Sequence, residues 1–241
     1  MTNDIEGNIQ AVLTRIGNAC RKYDRKPEDV KLLMAVKTVT PEIIKKAIAT
    51  GQQLIAENKV QEVKNKYEAL RETPHISHFI GHLQTNKVKD LLKCDISCIQ
   101  SIDRLSLAEK IDQRLSIEGK NIDVFIQVNT SGEDSKFGVA PEEAIDLVRQ
   151  VALLPTINIK GLMTIGILSE DEDRVRQCFR ILKRLQKEIR SLQIPTVEMN
   201  ELSMGMSGDL EIAIEEGATI VRVGSDIFGK RNYMLSAIPK N

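Results

Sequence analysis

Lys37 stands out chemically, because it closes the apolar run Leu32-Leu-Met-Ala-Val36. A lysine in that setting has two readings. It can carry its charge out to water over an apolar stem, or it can be an amine that condenses with an aldehyde or ketone. The second use requires loss of the ammonium proton, which partial burial and a nearby fixed cation promote. Arg222, in Ile220-Val-Arg-Val-Gly224, is a candidate for that cation. A guanidinium inside a β-branched run is costly if buried without a partner. Its partner is either a carboxylate such as Glu198 or Glu201, or the ring nitrogen or phosphate of a ligand. Ser207-Gly208 precedes the helical segment Asp209-Leu-Glu-Ile-Ala-Ile, and Gly224-Ser225 follows the Arg222 run. Both pairs offer a hydroxyl and close-approach backbone to an anion at a helix N-terminus, or else serve as a plain N-cap and a plain turn. Asp209 opposes an anion there unless it turns back to serve the first turn of its own helix.

Other reactive residue types point to less. His75, His78 and His82 are the only histidines. They fall across a strand and its exit, where alternation sends His75 and His78 to opposite faces. No metal site is expected, and His78 reads as a core or ligand-side residue. Cys94-x-x-x-Cys98 lacks the second cysteine pair that would complete a metal site. With Cys20 and Cys178 these cysteines read as reduced thiols.

The elements that must position these residues alternate almost without interruption. A helix over residues 3–22 precedes a strand over 31–37. Thr40-Pro41-Glu42 opens a helix with Thr40 as N-cap and Pro at its first position, ended by Gly51. Strands over 53–56, 75–80, 94–100, 122–128, 157–163, 196–202 and 219–223 follow, with helices between them. Asp103 is expected to cap the helix after the fourth strand. The longest helix, over 171–192, buries Val175, Phe179, Leu182, Leu185 and Ile189. Eight strand–helix units with no linker predict a single (βα)8 barrel domain over residues 1–241, with an extra N-terminal helix. A doubly wound open sheet is the competing arrangement. In such a barrel the chemistry sits where strands end. That rule selects Lys37, Glu57 and Asn58, Gly81 and His82, Asn129 to Ser131, Ser203 to Asp209, and Arg222, Gly224 and Ser225.

Composition narrows the class. Lys+Arg and Asp+Glu are both 34, for a net charge of zero, so no basic excess marks a nucleic-acid or anionic-membrane partner. Aromatics are 3% with no Trp, which leaves Ile, Leu, Val, Met and Ala to build the core. The polar, acidic start Met1-Thr-Asn-Asp-Ile-Glu carries no secretory signal, and no run is long enough to span a bilayer. A cytoplasmic protein is expected.

Taken together, several segments resemble the pyridoxal phosphate homeostasis protein family (YggS/PROSC). They are Met34-Ala-Val-Lys37, Ala56-Glu-Asn58 with Val60-Gln-Glu62, and His78-Phe-Ile-Gly-His-Leu-Gln-Thr-Asn-Lys87. Leu202-Ser-Met-Gly-Met-Ser-Gly-Asp209 and Val221-Arg-Val-Gly-Ser225 with Ile227-Phe-Gly229 complete the set. Gly161-Leu-Met163 and Ser101-Ile-Asp103-Arg104 fit as well. The resemblance runs from the N-terminal helix to Gly229. It implies the alanine racemase type of barrel and pyridoxal 5′-phosphate (PLP) held as a Schiff base on Lys37. It also implies Arg222 at the pyridine nitrogen, Ser207, Gly224 and Ser225 around the phosphate, and Asn58 and Met206 among the cofactor-binding residues. The family keeps intracellular PLP (vitamin B6) and amino acids in balance, with PLP-dependent apoenzymes as recipients. Two positions depart from the family pattern: Ala56 stands where Gly is usual, and Val36 where a hydroxyl residue is common.

A guanidinium facing the ring nitrogen leaves that nitrogen unprotonated, a weaker electron sink than one paired with a carboxylate. Two-base racemisation also needs an acid–base group on each face, and no second domain is expected to bring one. The sequence therefore reads as a monomeric cofactor carrier, with a PLP-dependent amino-acid racemase as the alternative and a cofactor-free class I aldolase behind it.

Overall fold

A computed structural model describes residues 4–229. The chain opens with α1 (Ile5–Lys22), whose N-terminus is capped by the Asp4 carboxylate accepting from Gly7 N–H. Ile5, Ile9, Val12, Ile16, Ala19 and Cys20 recur at helical spacing and are buried, so the helix lies with that stripe on the body of the protein.

Strand and helix then alternate. β1 (Lys31–Ala35), α2 (Pro41–Ile48), β2 (Leu54–Glu57), α3 (Val60–Leu70), β3 (Ile76–Phe79) and α4 (Val88–Leu92) make up the first half with β4 (Cys98–Ile102) and α5 (Leu105–Glu118). The second half comprises β5 (Ile122–Gln127), α6 (Ala144–Val151), β6 (Ile157–Met163), α7 (Glu172–Ser191), β7 (Val197–Ser203), α8 (Leu210–Glu215), β8 (Ile220–Val223) and α9 (Ser225–Phe228). The eight strands form a closed barrel in chain order. All pairings are parallel, and β8 returns to β1 in the register Leu33↔Arg222 and Met34↔Val223. The open-sheet alternative is thereby excluded.

Period-two alternation decides which side chains fill the barrel. Leu33, Ala56, Cys98, Phe125, Met163 and Ile220 form one buried cluster inside it. Their strand neighbours Leu32, Met34, Ile55, Ile99, Val124 and Val221 belong to the larger shell between sheet and helices. Two residues further along their strands from that inner cluster come Gln100 and Arg222, so the interior turns polar toward its C-terminal mouth.

Three local expectations need correction. The fourth strand begins at Cys98, not Cys94. The chain turns at Asp95, which has φ +48°, and the Cys94 N–H bonds back to Leu91. Cys94 and Ile96 are buried beneath that turn and so imitate a strand pattern. Asp103 does not cap α5. Its carboxylate instead meets the Arg104 guanidinium at 2.5 Å and the His82 ring at 3.3 Å. Thr40 is the N-cap of α2, yet its hydroxyl makes no capping hydrogen bond. There the start is set by Pro41, whose fixed φ suits the first helical position.

Candidate functional site

The first strand stops at Ala35 rather than at residue 37, and Lys37 lies two residues beyond it, at the second position of a reverse turn closed by Val39 N–H donating to the Val36 carbonyl at 3.1 Å. The third position, Thr38, has φ +63°. This geometry ordinarily calls for Gly or Asn, and a β-branched residue adopts it only under constraint from its surroundings. Leu33 points into the barrel, and Lys37 lies four residues on, half-buried at the exit of that strand. Gly224 ends β8 alongside: a Cβ there would sit 3.0 Å from the Ala35 carbonyl, so only a bare backbone packs that close without a shift.

Arg222 is 5% exposed and pairs with neither Glu198 nor Glu201. Those carboxylates are engaged on the outside, Glu201 by Lys31 and Thr219, and Glu198 by Lys160. The Arg222 guanidinium donates to Ser203 Oγ at 2.9 Å and to the Thr164 carbonyl at 2.8 Å. Because it can only donate, the polarity of the next links is fixed. Ser203 Oγ accepts from Arg222 and donates to Gln100 Oε1 at 2.6 Å, and Gln100 Nε2 donates to His78 Nδ1 at 2.8 Å. His78 must therefore be neutral with its proton on Nε2. Burial, followed by the Lys31 charge, pulls its pKa down to about 4, which agrees. Burial also lowers Arg222 to about 10, with Asp209 opposing, so the guanidinium stays charged at neutral pH.

The loops after β7 and β8 bring the two predicted serines together, with Ser225 Oγ donating to Ser207 Oγ at 3.0 Å. Asp209 does not serve the first turn of its own helix as expected: it is the N-cap of α8 without a side-chain capping bond, and its carboxylate instead accepts from Met206 N–H at 2.6 Å. Burial raises its pKa, and the Met206 hydrogen bond works against that. Both loops are tied from outside by Arg15 of α1. Its guanidinium donates to the Ser207 carbonyl at 3.0 Å, to both Glu211 oxygens, and to Asp226 at 2.6 Å. Nothing in the sequence marked Arg15 beyond its place on the polar face of α1.

Asn58 follows β2, half-buried. A Cβ on Gly81 would lie 1.9 Å from the Asn58 carbonyl oxygen, so glycine there lets the exit of β3 rest on the Asn58 backbone. His82 stacks on Phe137 with centroids 3.9 Å apart, and the His75 ring donates from Nδ1 to the Thr73 carbonyl at 2.6 Å. The three histidines thus go separate ways, and among the described residues no His, Cys, Asp and Glu cluster could hold a metal ion. All four cysteines are free and buried. Sequence reasoning missed Thr164, Gln100 and the role of Ser203, and also a buried pair at the foot of Lys37, Glu57 with Lys66.

Residues 10–232 match the family model for the alanine racemase N-terminal domain. The chain is 44% identical over 225 residues to the pyridoxal phosphate homeostasis protein of Aquifex aeolicus, covering 93% of this chain and 97% of that protein. The structure of PipY from Synechococcus elongatus with PLP bound superposes with a TM-score of 0.78 at 30% identity, covering 89% of this chain and all of that one. An alanine racemase from Clostridium difficile gives a TM-score of 0.75 at 16% identity over 94% of this chain and 57% of the racemase, a likeness of fold alone.

Proposed function

This chain belongs to the family of pyridoxal phosphate homeostasis proteins, and from that membership and the geometry of its rim we propose that it holds PLP on Lys37 at the mouth of the barrel. The observation carrying this is a donor set gathered on adjacent strands and their exits. An amine lies in the turn that leaves β1, a buried guanidinium stands on the neighbouring strand β8, and a hydroxyl pair 3.0 Å apart joins the loops after β7 and β8. These fit an aldehyde, a pyridine nitrogen and a phosphate in turn. PLP supplies the aldehyde, whose carbon forms a C=N bond with a primary amine and releases water. Lys37 provides that amine. Arg222 has N–H groups beyond the two committed to Ser203 and Thr164 and donates toward the ring nitrogen. Ser207, Ser225 and the Gly224 backbone receive the phosphate, with Met206 flanking it and Asn58 close to the Lys37 side.

The same residues favour a carrier over an enzyme. Arg222 does not surrender a proton at neutral pH, so it holds the ring nitrogen facing it unprotonated, which weakens carbanion chemistry. The described tyrosines are poor candidates for a second acid–base group: Tyr23 ends α1, and Tyr67 on α3 donates to Asp95. Relatives are named for homeostasis of the cofactor. We therefore assign a monomeric PLP carrier, one barrel domain over residues 1–241, acting in the cytoplasm and supplying PLP-dependent apoenzymes. In keeping with this, no helix among the described residues is long and apolar enough to cross a membrane.

The test is the visible spectrum of the protein incubated with PLP, together with peptide mass analysis after borohydride reduction. A visible band and a pyridoxyl-phosphate adduct on Lys37, both lost in Lys37→Ala, are expected. An adduct on another lysine, or none, would overturn the assignment. Exchange of an amino acid's α-proton by the loaded protein would overturn the carrier reading alone.

A further inference from the structure

Lys66 reaches the peptide that precedes Lys37 from the opposite side of the barrel wall. Its ammonium, on a side chain 8% exposed, donates to the Val36 carbonyl at 3.0 Å, to Glu57 Oε1 at 2.5 Å and to Glu62 Oε2 at 3.0 Å. All three of its N–H groups are thus engaged. The target carbonyl already accepts from Val39 N–H in the turn, while Glu57 Oε2 is buried with no hydrogen-bond partner among the described residues. A simple buried ion pair would place the third N–H on that second carboxylate oxygen. Here it goes instead to the carbonyl that closes the Lys37 turn.

Val36 is held at both ends, since its own N–H donates to the Ala56 carbonyl at 3.0 Å. Such bracing answers a local need. Thr38 at φ +63° is a β-branched residue in left-handed backbone, and strained backbone persists only where its surroundings over-determine it. Left to itself, the segment would relax Thr38 and swing Lys37. We propose that Lys66, gripped by Glu57 and Glu62, is a positioning residue for Lys37, holding the Val36 carbonyl so that the strained turn stays closed and the amine stays at the mouth. The proposal rests on the assignment of PLP to Lys37.

The experiment measures PLP affinity and the visible band of the full chain for wild type, Lys66→Met, Thr38→Gly and the double variant, with urea unfolding of each without PLP. Val36, Glu57 and Lys66 line a cavity of about 190 Å³, so water can reach Glu57 when the ammonium is gone. Lys66→Met is expected to weaken PLP binding about tenfold, the scale of one charge-assisted hydrogen bond. Thr38→Gly alone should change it less than about threefold. The double variant should recover most of the loss, because glycine removes the strain that Lys66 restrains. A merely structural ion pair predicts lost stability with PLP affinity kept, or a loss of affinity that Thr38→Gly does not reverse. Either result overturns the proposal. If Lys66→Met does not fold, Glu62→Gln, at a side chain 31% exposed, should give a smaller loss that Thr38→Gly again reverses; no reversal overturns the proposal. Wild type without a Lys37 adduct would refute the PLP assignment instead, so the two failures are distinguishable.

Discussion

Replacing Ser203 by alanine removes one oxygen and cuts the polar chain of the barrel interior at its middle. The hydroxyl is fully buried, and it both accepts from Arg222 and donates to Gln100. Without it a charged N–H and an amide oxygen lose their partners together. Each buried group left unpaired costs about 1–3 kcal/mol, more for a charged one, so the loss should be about 2–5 kcal/mol, less whatever an entering water restores. Against a total stability of about 5–15 kcal/mol that is readily measured as a lower urea midpoint at unchanged slope. PLP affinity should fall as well, because Arg222 keeps only its bond to the Thr164 carbonyl to orient it. Gln100→Leu provides the cross-check. The double variant should cost less than the two single losses combined, since both delete the same Ser203–Gln100 bond. A Ser203→Ala midpoint corresponding to less than about 0.5 kcal/mol, the range of ordinary surface changes, would show that the chain does not hold Arg222. Strict additivity with Gln100→Leu would refute the shared link.

Three further outcomes follow from the same geometry. Burial, with the Lys31 charge, pushes His78 down to about 4 in the folded protein from the ordinary 6.5, so the unfolded chain binds the extra proton between those values. Stability should therefore be complete above about pH 6.5 and fall by up to about 3 kcal/mol as pH drops toward 4. Unfolding midpoints across that range should show a His78-dependent slope that His78→Gln flattens. Gly81→Ala forces a Cβ toward the Asn58 carbonyl and should cost about 1–3 kcal/mol in urea unfolding while also weakening PLP binding. Arg15→Ala removes the bonds from α1 to the Ser207 loop and to Asp226 of α9, leaving Asn8 on the Ile227 carbonyl. Because this guanidinium is 35% exposed, the stability change should stay within about 1 kcal/mol, with a several-fold weaker hold on PLP measured by equilibrium dialysis.

The barrel was legible because most of its strands are short, largely apolar runs bounded by turn residues, a pattern that survives without tertiary information. β6 begins and ends where the pattern places it, Ile157 to Met163. β4 does not, because burial alone cannot distinguish a strand from a turn tucked beneath a helix. At Cys94 to Ser97 the deciding quantity is the backbone angle of Asp95, which no hydrophobic pattern encodes. Asp103 failed as a cap for a related reason. A carboxylate before a helix is drawn to whichever donor is strongest, and here two side chains, Arg104 and His82, outbid the backbone.

The site divides along the same line. Lys37, Arg222, Ser207 and Ser225 could be proposed from the sequence because one rule, that strands of such a barrel end at the chemistry, converts order along the chain into place in space. The residues that hold them obey no such rule. Ser203 meets Gln100 across 103 residues and Arg15 meets Ser207 across 192, so those pairings exist only once the barrel has closed. Lys66 is the instructive exception. It lies on α3 between Val63 and Leu70, on the stripe of that helix that is buried. A charge at a buried helical position is costly unless paired, and Glu62 one turn back and Glu57 at the end of β2 were the carboxylates within reach. The sequence thus contained the pair. What it lacked was the third contact, the Val36 carbonyl, which gives the pair a bearing on Lys37 and which becomes visible only when β1, β2 and α3 are packed together.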